Sequence, residues 1–165
     1  YTTKNILWKI DIPRQTSQVE IKRKSKLEKV KQQINKEIKF LQLTDIHYDP
    51  LYLPNSKKEC DKPLCCEFGI GNSFNDSAGK WGSYGRCDLP INTLENSLNH
   101  IANNHPDLDY WLVTGDYVAH DIWRYTKDSN LRVTQIVTQL IKKYNRNHVL
   151  VVPVIGNHES VPVNR

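Results

Sequence analysis

From residue 38 onward, short apolar runs alternate with segments in which apolar residues recur at helical spacing. Three runs have the length and composition of strands: IKFLQLTD, LDYWLVTGD and HVLVVPVIGNH. Two helix patterns lie between them. The first is Ile91, Leu94, Leu98, Ile101 and Ala102, and the second is Val133, Ile136, Val137, Leu140, Ile141 and Tyr144. The order β–loop–α–β–α–β predicts an α/β fold, a layered β-sheet with flanking helices and at least partly parallel strands.

Three details of this pattern are specific enough to test. The first run predicts a buried strand that ends in polar residues. Asp88 is expected to cap the first helix, with Pro90 in its first turn. The apolar run VLVVPVI is expected to be poorly covered if this chain holds only the first half of a domain.

Residues 1–37 are polar and basic, and we interpret them as a connector that precedes a domain at 38–165. The spacing of Leu27, Val30, Ile34 and Ile38 allows a short amphipathic helix there. Lysine and arginine dominate residues 22–39, which predicts either attraction to a phosphate-rich lipid surface or a solvated linker. No aromatic residue interleaves these lysines, so the pattern does not favour nucleic acid as a partner.

A long loop at 50–88 holds all four cysteines: Cys60, Cys65, Cys66 and Cys87. Two of them are adjacent, which suits tetrahedral zinc binding poorly and favours two local disulfides. A Cys65–Cys66 bond would be strained. Two pairings remain open: Cys60–Cys65 with Cys66–Cys87, or Cys60–Cys66 with Cys65–Cys87. Disulfides indicate a secreted or lysosomal protein, and the glycosylation sequon at Asn75 agrees.

The ends of the chain and its hydropathy add two expectations. The chain has no Met and begins with Tyr1, so we expect a processed or partial chain. No run approaches the ~20 apolar residues that a membrane-spanning helix needs.

Polar side chains follow each predicted strand. Asp45 and His47 follow the first, Asp116 follows the second, and Asn157 and His158 follow the third. Ligands bind beyond the carboxyl ends of parallel strands, so these groups are expected at one edge of the sheet. A carboxylate such as Asp116 can bridge two metal ions. The mixture of imidazole and oxygen ligands suits zinc, manganese or iron better than calcium.

The order D-x-H, G-D, G-N-H-E resembles the calcineurin-like metallophosphoesterase superfamily. Within it, the segments LTDIHYDP, CDKPLCC, KWGSYGRCDLP, TGDYVAHDIW and GNHESVPVN resemble the acid sphingomyelinase family, from Phe40 to Arg165. The related acid sphingomyelinase-like phosphodiesterases are expected to lack the Cys-Cys pair and to have Asp after GNH. The resemblance implies a metallophosphoesterase fold, of which 38–165 is the N-terminal half.

The resemblance also implies roles for individual residues. Asp45 and His47 would hold the first of two zinc ions, Asp116 would bridge both, and Asn157 would hold the second. His158 and His120 would be catalytic. The disulfides would be Cys60–Cys65 and Cys66–Cys87. The family draws three further histidine ligands from the second half of its domain, and a saposin-like lipid-binding domain precedes its catalytic domain.

The implied activity is zinc-dependent hydrolysis of sphingomyelin, in membranes or lipoproteins, to ceramide and phosphocholine. Two alternatives stay open. One is a phosphodiesterase that acts on nucleotides or other phospho-compounds. The other is a catalytically inactive, truncated chain that binds lipid or a partner through its basic segment.

Overall fold

A computed structural model describes residues 37–72 and 75–164. From Ile38 onward the chain forms one compact unit. The predicted connector, its short helix and most of the basic run lie outside the described residues. At the start of the described part, the backbone N–H of Lys39 donates to Asp109 Oδ2 at 2.9 Å.

The sheet has three parallel strands in the order β1-β2-β3. They are β1 (Phe40–Leu43), β2 (Tyr110–Val113) and β3 (Leu150–Pro153). Leu41 lies beside Trp111, which lies beside Val151, so the three carboxyl ends reach the same edge. This confirms the parallel α/β arrangement that the sequence predicts.

Two helices connect the strands. They are α1 (Ile91–Asn104) and α2 (Lys127–Tyr144), and a 3₁₀ turn (Asn157–Glu159) follows β3. Leu94 and Leu98 of α1 join Val133 and Val137 of α2 in one core cluster with Trp111 and other residues of the sheet. The predicted helical faces are therefore confirmed. No helix among the described residues is long and apolar enough to cross a membrane.

The opposite face of the sheet lies open. Phe40 is 50 % exposed and stacks on Tyr110, with 5.3 Å between ring centroids, and Leu150 beside them is 68 % exposed. The prediction of a buried first strand is therefore wrong, because both helices cover only the face that carries Leu41 and Leu43. The exposure of Leu150 and Val152 in β3 agrees with the prediction that the run VLVVPVI is poorly covered. Parallel sheets normally bury both faces, so an exposed apolar face is unusual for such a sheet.

Asp88 does not cap α1, contrary to the prediction. The residue at the cap position is Pro90, and no side-chain hydrogen bond caps the helix. Asp88 lies two residues earlier and its carboxylate binds His120 instead.

At α2 the cap is made by Thr126, whose hydroxyl accepts from the backbone N–H of Ser129 at 3.0 Å.

The long loop between β1 and α1 is held by two disulfides, Cys60–Cys65 and Cys66–Cys87. Cys65 and Cys66 are fully buried, although the loop has little regular structure. The loop is also bound to the segment before α2, because Arg124 forms an ion pair with buried Glu67. Asn75, the predicted glycosylation site, is exposed.

Asp49 is a buried acid at the start of this loop. It is 2 % exposed, and its Oδ1 accepts from the backbone N–H of Leu51 at 2.8 Å. Its Oδ2 has no hydrogen-bond partner within the described ranges. Burial, assisted by the charges of Glu67, Asp88 and Asp121, raises the pKa of Asp49 to about 7, although the Leu51 hydrogen bond opposes the shift.

We predict that Asp49→Asn flattens the pH dependence of stability in the metal-free protein. The folded-state pKa of Asp49 lies above the ordinary 3.8, so its contribution is full below about pH 4 and is lost as pH rises through about 7. Wild-type stability should fall across this window by at most ~1.4 kcal/mol per pH unit. The measurement is urea unfolding with a chelator present at pH 5 and pH 8.

The matched control is Asp61→Asn, which neutralises an exposed carboxylate in the same loop. It should keep the wild-type pH profile. A profile of Asp49→Asn that parallels the wild type would show that Asp49 is already charged in the folded protein.

Candidate metal centre

Backbone hydrogen bonds bring the ends of β1 and β2 together. The N–H of Asp45 donates to the carbonyl of Gly115 at 3.2 Å, and the N–H of His47 donates to that of Asp116 at 2.9 Å. Asp45, His47 and Asp116 all have positive φ, at 51°, 41° and 54°. Left-handed backbone is uncommon for residues other than glycine and concentrates at functional sites. These three candidate ligands therefore share both location and backbone strain.

The turns after β2 and β3 touch through two glycines. A Cβ on Gly115, which has φ 88°, would lie 2.2 Å from the backbone nitrogen of Gly156. A Cβ on Gly156 would lie 2.2 Å from Asp116 Oδ1. Neither turn has room for a side chain. The close approach lets the N–H of His158 donate to Asp116 Oδ1 at 2.9 Å.

Glu159 connects the same two turns. Its Oε2 accepts from the backbone N–H of Asp116 and of Gly156, both at 2.8 Å, and its Oε1 accepts from that of Tyr117 at 2.7 Å. Hydrogen bonds to an ionised acceptor are stronger than neutral ones. One carboxylate thus fixes the backbone that presents both Asp116 and His158.

The donor atoms of Asp45, His47 and Asp116 could hold a metal ion, since one from each lies within 4.8 Å of the others. His47 Nε2 is 3.9 Å from Asp45 Oδ1. His47 Nδ1 is 2.8 Å from the carbonyl oxygen of Val118, which can only accept, so Nδ1 carries the proton and Nε2 is free to bind metal. Two carboxylates and one imidazole fit a divalent transition metal or zinc.

Asn157 lies at the start of the 3₁₀ turn beside this group. Its amide nitrogen donates to Asn164 Oδ1 at 2.9 Å, so its side-chain oxygen is the atom that it would offer to a metal. The residue is exposed.

His158 is 9 % exposed. Its carbonyl accepts from the side chain of Asn130 at 2.8 Å, and its Nδ1 is 3.3 Å from the hydroxyl of Tyr125. Burial, followed by electrostatic repulsion from neighbouring His47, lowers the pKa of His158 below its ordinary value, while Asp116 opposes the shift. The neutral form of the His158 imidazole is therefore more populated than that of a free histidine side chain at the same pH.

His120 stands beside His47, with 3.9 Å between ring centroids. Asp88 holds it twice: Oδ2 accepts from the backbone N–H at 2.6 Å, and Oδ1 lies 2.8 Å from Nδ1. The Asp88 side chain is 9 % exposed, whereas that of His120 is 54 % exposed. A buried carboxylate thus orients an accessible imidazole.

The residues of the site that sequence reasoning missed all act through another residue. They are Glu159, Asp88, Tyr125 and Asn130. Glu159 is the last residue of the G-N-H-E motif. Its position three residues after Gly156 was a local signal that its side chain could bind the turn. The other three lie 28 to 33 positions from their partners, and no local pattern indicates such pairs.

We predict that Glu159→Gln lowers the free energy of unfolding by ~1–3 kcal/mol, because the amide NH₂ faces a backbone N–H that then lacks an acceptor. The measurement is urea unfolding of the metal-free protein. Glu95→Gln is the control, since Glu95 only pairs with Lys143 on the surface at 3.2 Å. Equal, small effects of the two substitutions would contradict the role given to Glu159.

Comparison with known proteins places this site in a family. The family model described as calcineurin-like phosphoesterase matches residues 38–164. The sphingomyelin phosphodiesterase of Homo sapiens is 44 % identical over 129 residues, which cover 76 % of this chain and 20 % of the relative. Sphingomyelin phosphodiesterase 1 of Caenorhabditis elegans is 35 % identical over 160 residues, 95 % of this chain and 27 % of the relative.

A more distant relative has a name that refers to a different substrate. The endopolyphosphatase of Saccharomyces cerevisiae is 31 % identical over 140 residues, 76 % of this chain and 20 % of that protein. The chain thus spans about a fifth to a quarter of the length of these relatives. Because this family model matches residues 38–164, the chain belongs to the calcineurin-like phosphoesterase family.

Proposed function

We propose that the protein at its natural length is a zinc-dependent phosphodiesterase that hydrolyses sphingomyelin to ceramide and phosphocholine. The observation that carries this proposal is the grouping of Asp45, His47 and Asp116 beside two oriented imidazoles, His120 and His158. Two relatives named sphingomyelin phosphodiesterase, from Homo sapiens and Caenorhabditis elegans, support the substrate.

The proposed metal ligands follow from the donor atoms. Asp45 and His47 would hold one zinc ion, Asp116 would be a ligand shared by that ion and a second, and Asn157 would contribute an oxygen to the second. When bound, two such ions supply an activated water near neutral pH and neutralise charge on the phosphoryl group. Catalytic zinc normally has about three protein ligands, so the second ion needs ligands in addition to Asp116 and Asn157.

The two remaining histidines act on the substrate. His158, when protonated, donates its proton to the alkoxide oxygen that leaves with ceramide, because a primary alkoxide departs poorly unless protonated. His120, when protonated and held by Asp88, donates a hydrogen bond to a phosphoryl oxygen and stabilises the charge that develops there. Tyr125 keeps the ring of His158 in position.

The two disulfides support a secreted or lysosomal location. The lipid surface would be reached through the basic residues 22–39 and a saposin-like domain, as the family resemblance implies.

A second candidate function is a phosphodiesterase that acts on nucleotides or other phospho-compounds. The similarity to endopolyphosphatase favours keeping it, since that protein is 31 % identical to this chain over 140 residues. The third reading, an inactive lipid-binding chain, differs from both in showing no turnover.

The test is release of phosphocholine from sphingomyelin vesicles by the protein at its natural length, with and without zinc. Nucleotide and polyphosphate substrates are assayed in parallel. Zinc-dependent phosphocholine release, lost in His158→Asn and kept in His148→Asn, is the expected result. Turnover of nucleotides or polyphosphate alone would replace the substrate, and no turnover of any of them would leave the inactive reading.

We predict that Asp116→Asn abolishes turnover and weakens zinc binding while leaving the fold intact. The substitution removes the charge that two ions share, but Asn tolerates a positive φ and retains an oxygen to accept from the N–H of His158. Zinc titration calorimetry and thermal unfolding are the measurements. Asp107→Asn, which alters an exposed partner of Lys39, is the control. Wild-type turnover by Asp116→Asn, with two zinc ions still bound, would refute the assignment.

A further inference from the structure

We propose that His47, His120 and His158 form a second divalent metal site, which competes with the carboxylate site for the one free nitrogen of His47. The site would take a metal that favours imidazole, such as zinc, copper or nickel, in preference to magnesium.

The three rings lie close together: His47 and His120 are stacked, and His158 meets both of them edge-on. Ring centroids are 3.9 Å apart for His47 and His120, 4.8 Å for His47 and His158, and 4.9 Å for His120 and His158. One nitrogen from each ring lies within 4.8 Å of the others. Three imidazoles around an open fourth position are an established arrangement for catalytic zinc.

The surrounding protein leaves the same nitrogen free on each ring. His47 Nδ1 donates to the carbonyl of Val118, and His120 Nδ1 donates to Asp88. Tyr125 gives its single hydroxyl proton to the carbonyl of Ala119, so its oxygen accepts from His158 Nδ1. Every neutral ring therefore keeps its lone pair on Nε2. Such outer hydrogen bonds are the usual means of orienting metal-binding histidines.

The site also has an entrance and a shared ligand. His120 is half exposed and offers an entering ion its first contact, while His158 is buried. His47 Nε2 also lies 3.9 Å from Asp45 Oδ1, on the side of the carboxylates. One nitrogen binds one ion, so filling the histidine site withdraws His47 from the carboxylate site.

This sharing has a functional consequence that rests on the proposed function. An ion held by three imidazoles would occupy both His120 and His158, so excess zinc should inhibit an enzyme that needs zinc at its carboxylate site. The metal-binding claim itself does not depend on activity, because it is measured without substrate.

The experiment uses the chain carrying Asp45→Asn and Asp116→Asn, which removes both carboxylates. Asn accepts the left-handed backbone at both positions. Zinc affinity is measured by calorimetry, and Co²⁺ serves as a spectroscopic probe because tetrahedral Co²⁺ absorbs visible light far more strongly than octahedral Co²⁺. Mg²⁺ is the negative probe.

We expect the doubly substituted chain to bind one zinc ion and to give the intense tetrahedral Co²⁺ spectrum, with no binding of Mg²⁺. Adding His120→Asn should weaken zinc binding at least about tenfold and remove the spectrum. Adding His148→Asn should change neither, since His148 is exposed, away from the cluster in the chain and already at φ 51°. His120→Gln gives a second substitution at the same exposed position.

Thermal unfolding with a chelator verifies that each variant folds before binding is compared. The proposal is overturned if the doubly substituted chain has no zinc affinity. It is equally overturned if His120→Asn and His120→Gln bind zinc as tightly as the doubly substituted chain without them.

Discussion

The site depends on one carboxylate that receives three backbone hydrogen bonds. Glu159 accepts from Asp116, Tyr117 and Gly156, and so joins the turn after β2 to the turn after β3. Without this carboxylate, the backbone N–H groups of the two turns would have no common acceptor. Because Asp116 and His158 belong to these turns, their separation is set by backbone contacts before any metal binds.

Backbone contacts also explain the strained conformation of the candidate metal ligands. Asp45, His47 and Asp116 adopt left-handed backbone, while hydrogen bonds between β1 and β2 continue on both sides of them. Such conformations persist only where the surrounding structure determines them. Gly115 and Gly156 permit the required closeness, and the two helices pack on one face of the sheet beneath. The packed sheet therefore supports an unfavourable backbone geometry at its edge.

An oriented set of three histidines follows from this arrangement. Val118, Asp88 and Tyr125 each occupy one ring nitrogen of a different histidine, and the opposite nitrogens are left to ligands or substrate. The chemistry of the site is thus shaped as much by these outer partners as by the metal-binding atoms. It also means that His47 can serve either of two neighbouring groups of ligands.

Much of this could be predicted from the sequence because it is periodic or local. Helical spacing located both helices, and polar residues after each apolar run placed Asp45, His47, Asp116 and His158 at one edge. Burial of β1 was predicted wrongly, since an apolar run does not reveal whether a second layer covers its outer face. Asp88 satisfies the local rule for a helix cap, yet a contact 32 residues away determines its role.

The most direct test of the central claim is anomalous diffraction from crystals of the chain grown with Mn²⁺, a metal that favours carboxylate ligands. The account predicts an anomalous peak in contact with Asp45, His47 and Asp116, with Glu159 still bound to the three backbone N–H groups. A Mn²⁺ ion bound elsewhere, or no ion at a concentration that saturates the protein in solution, would contradict it.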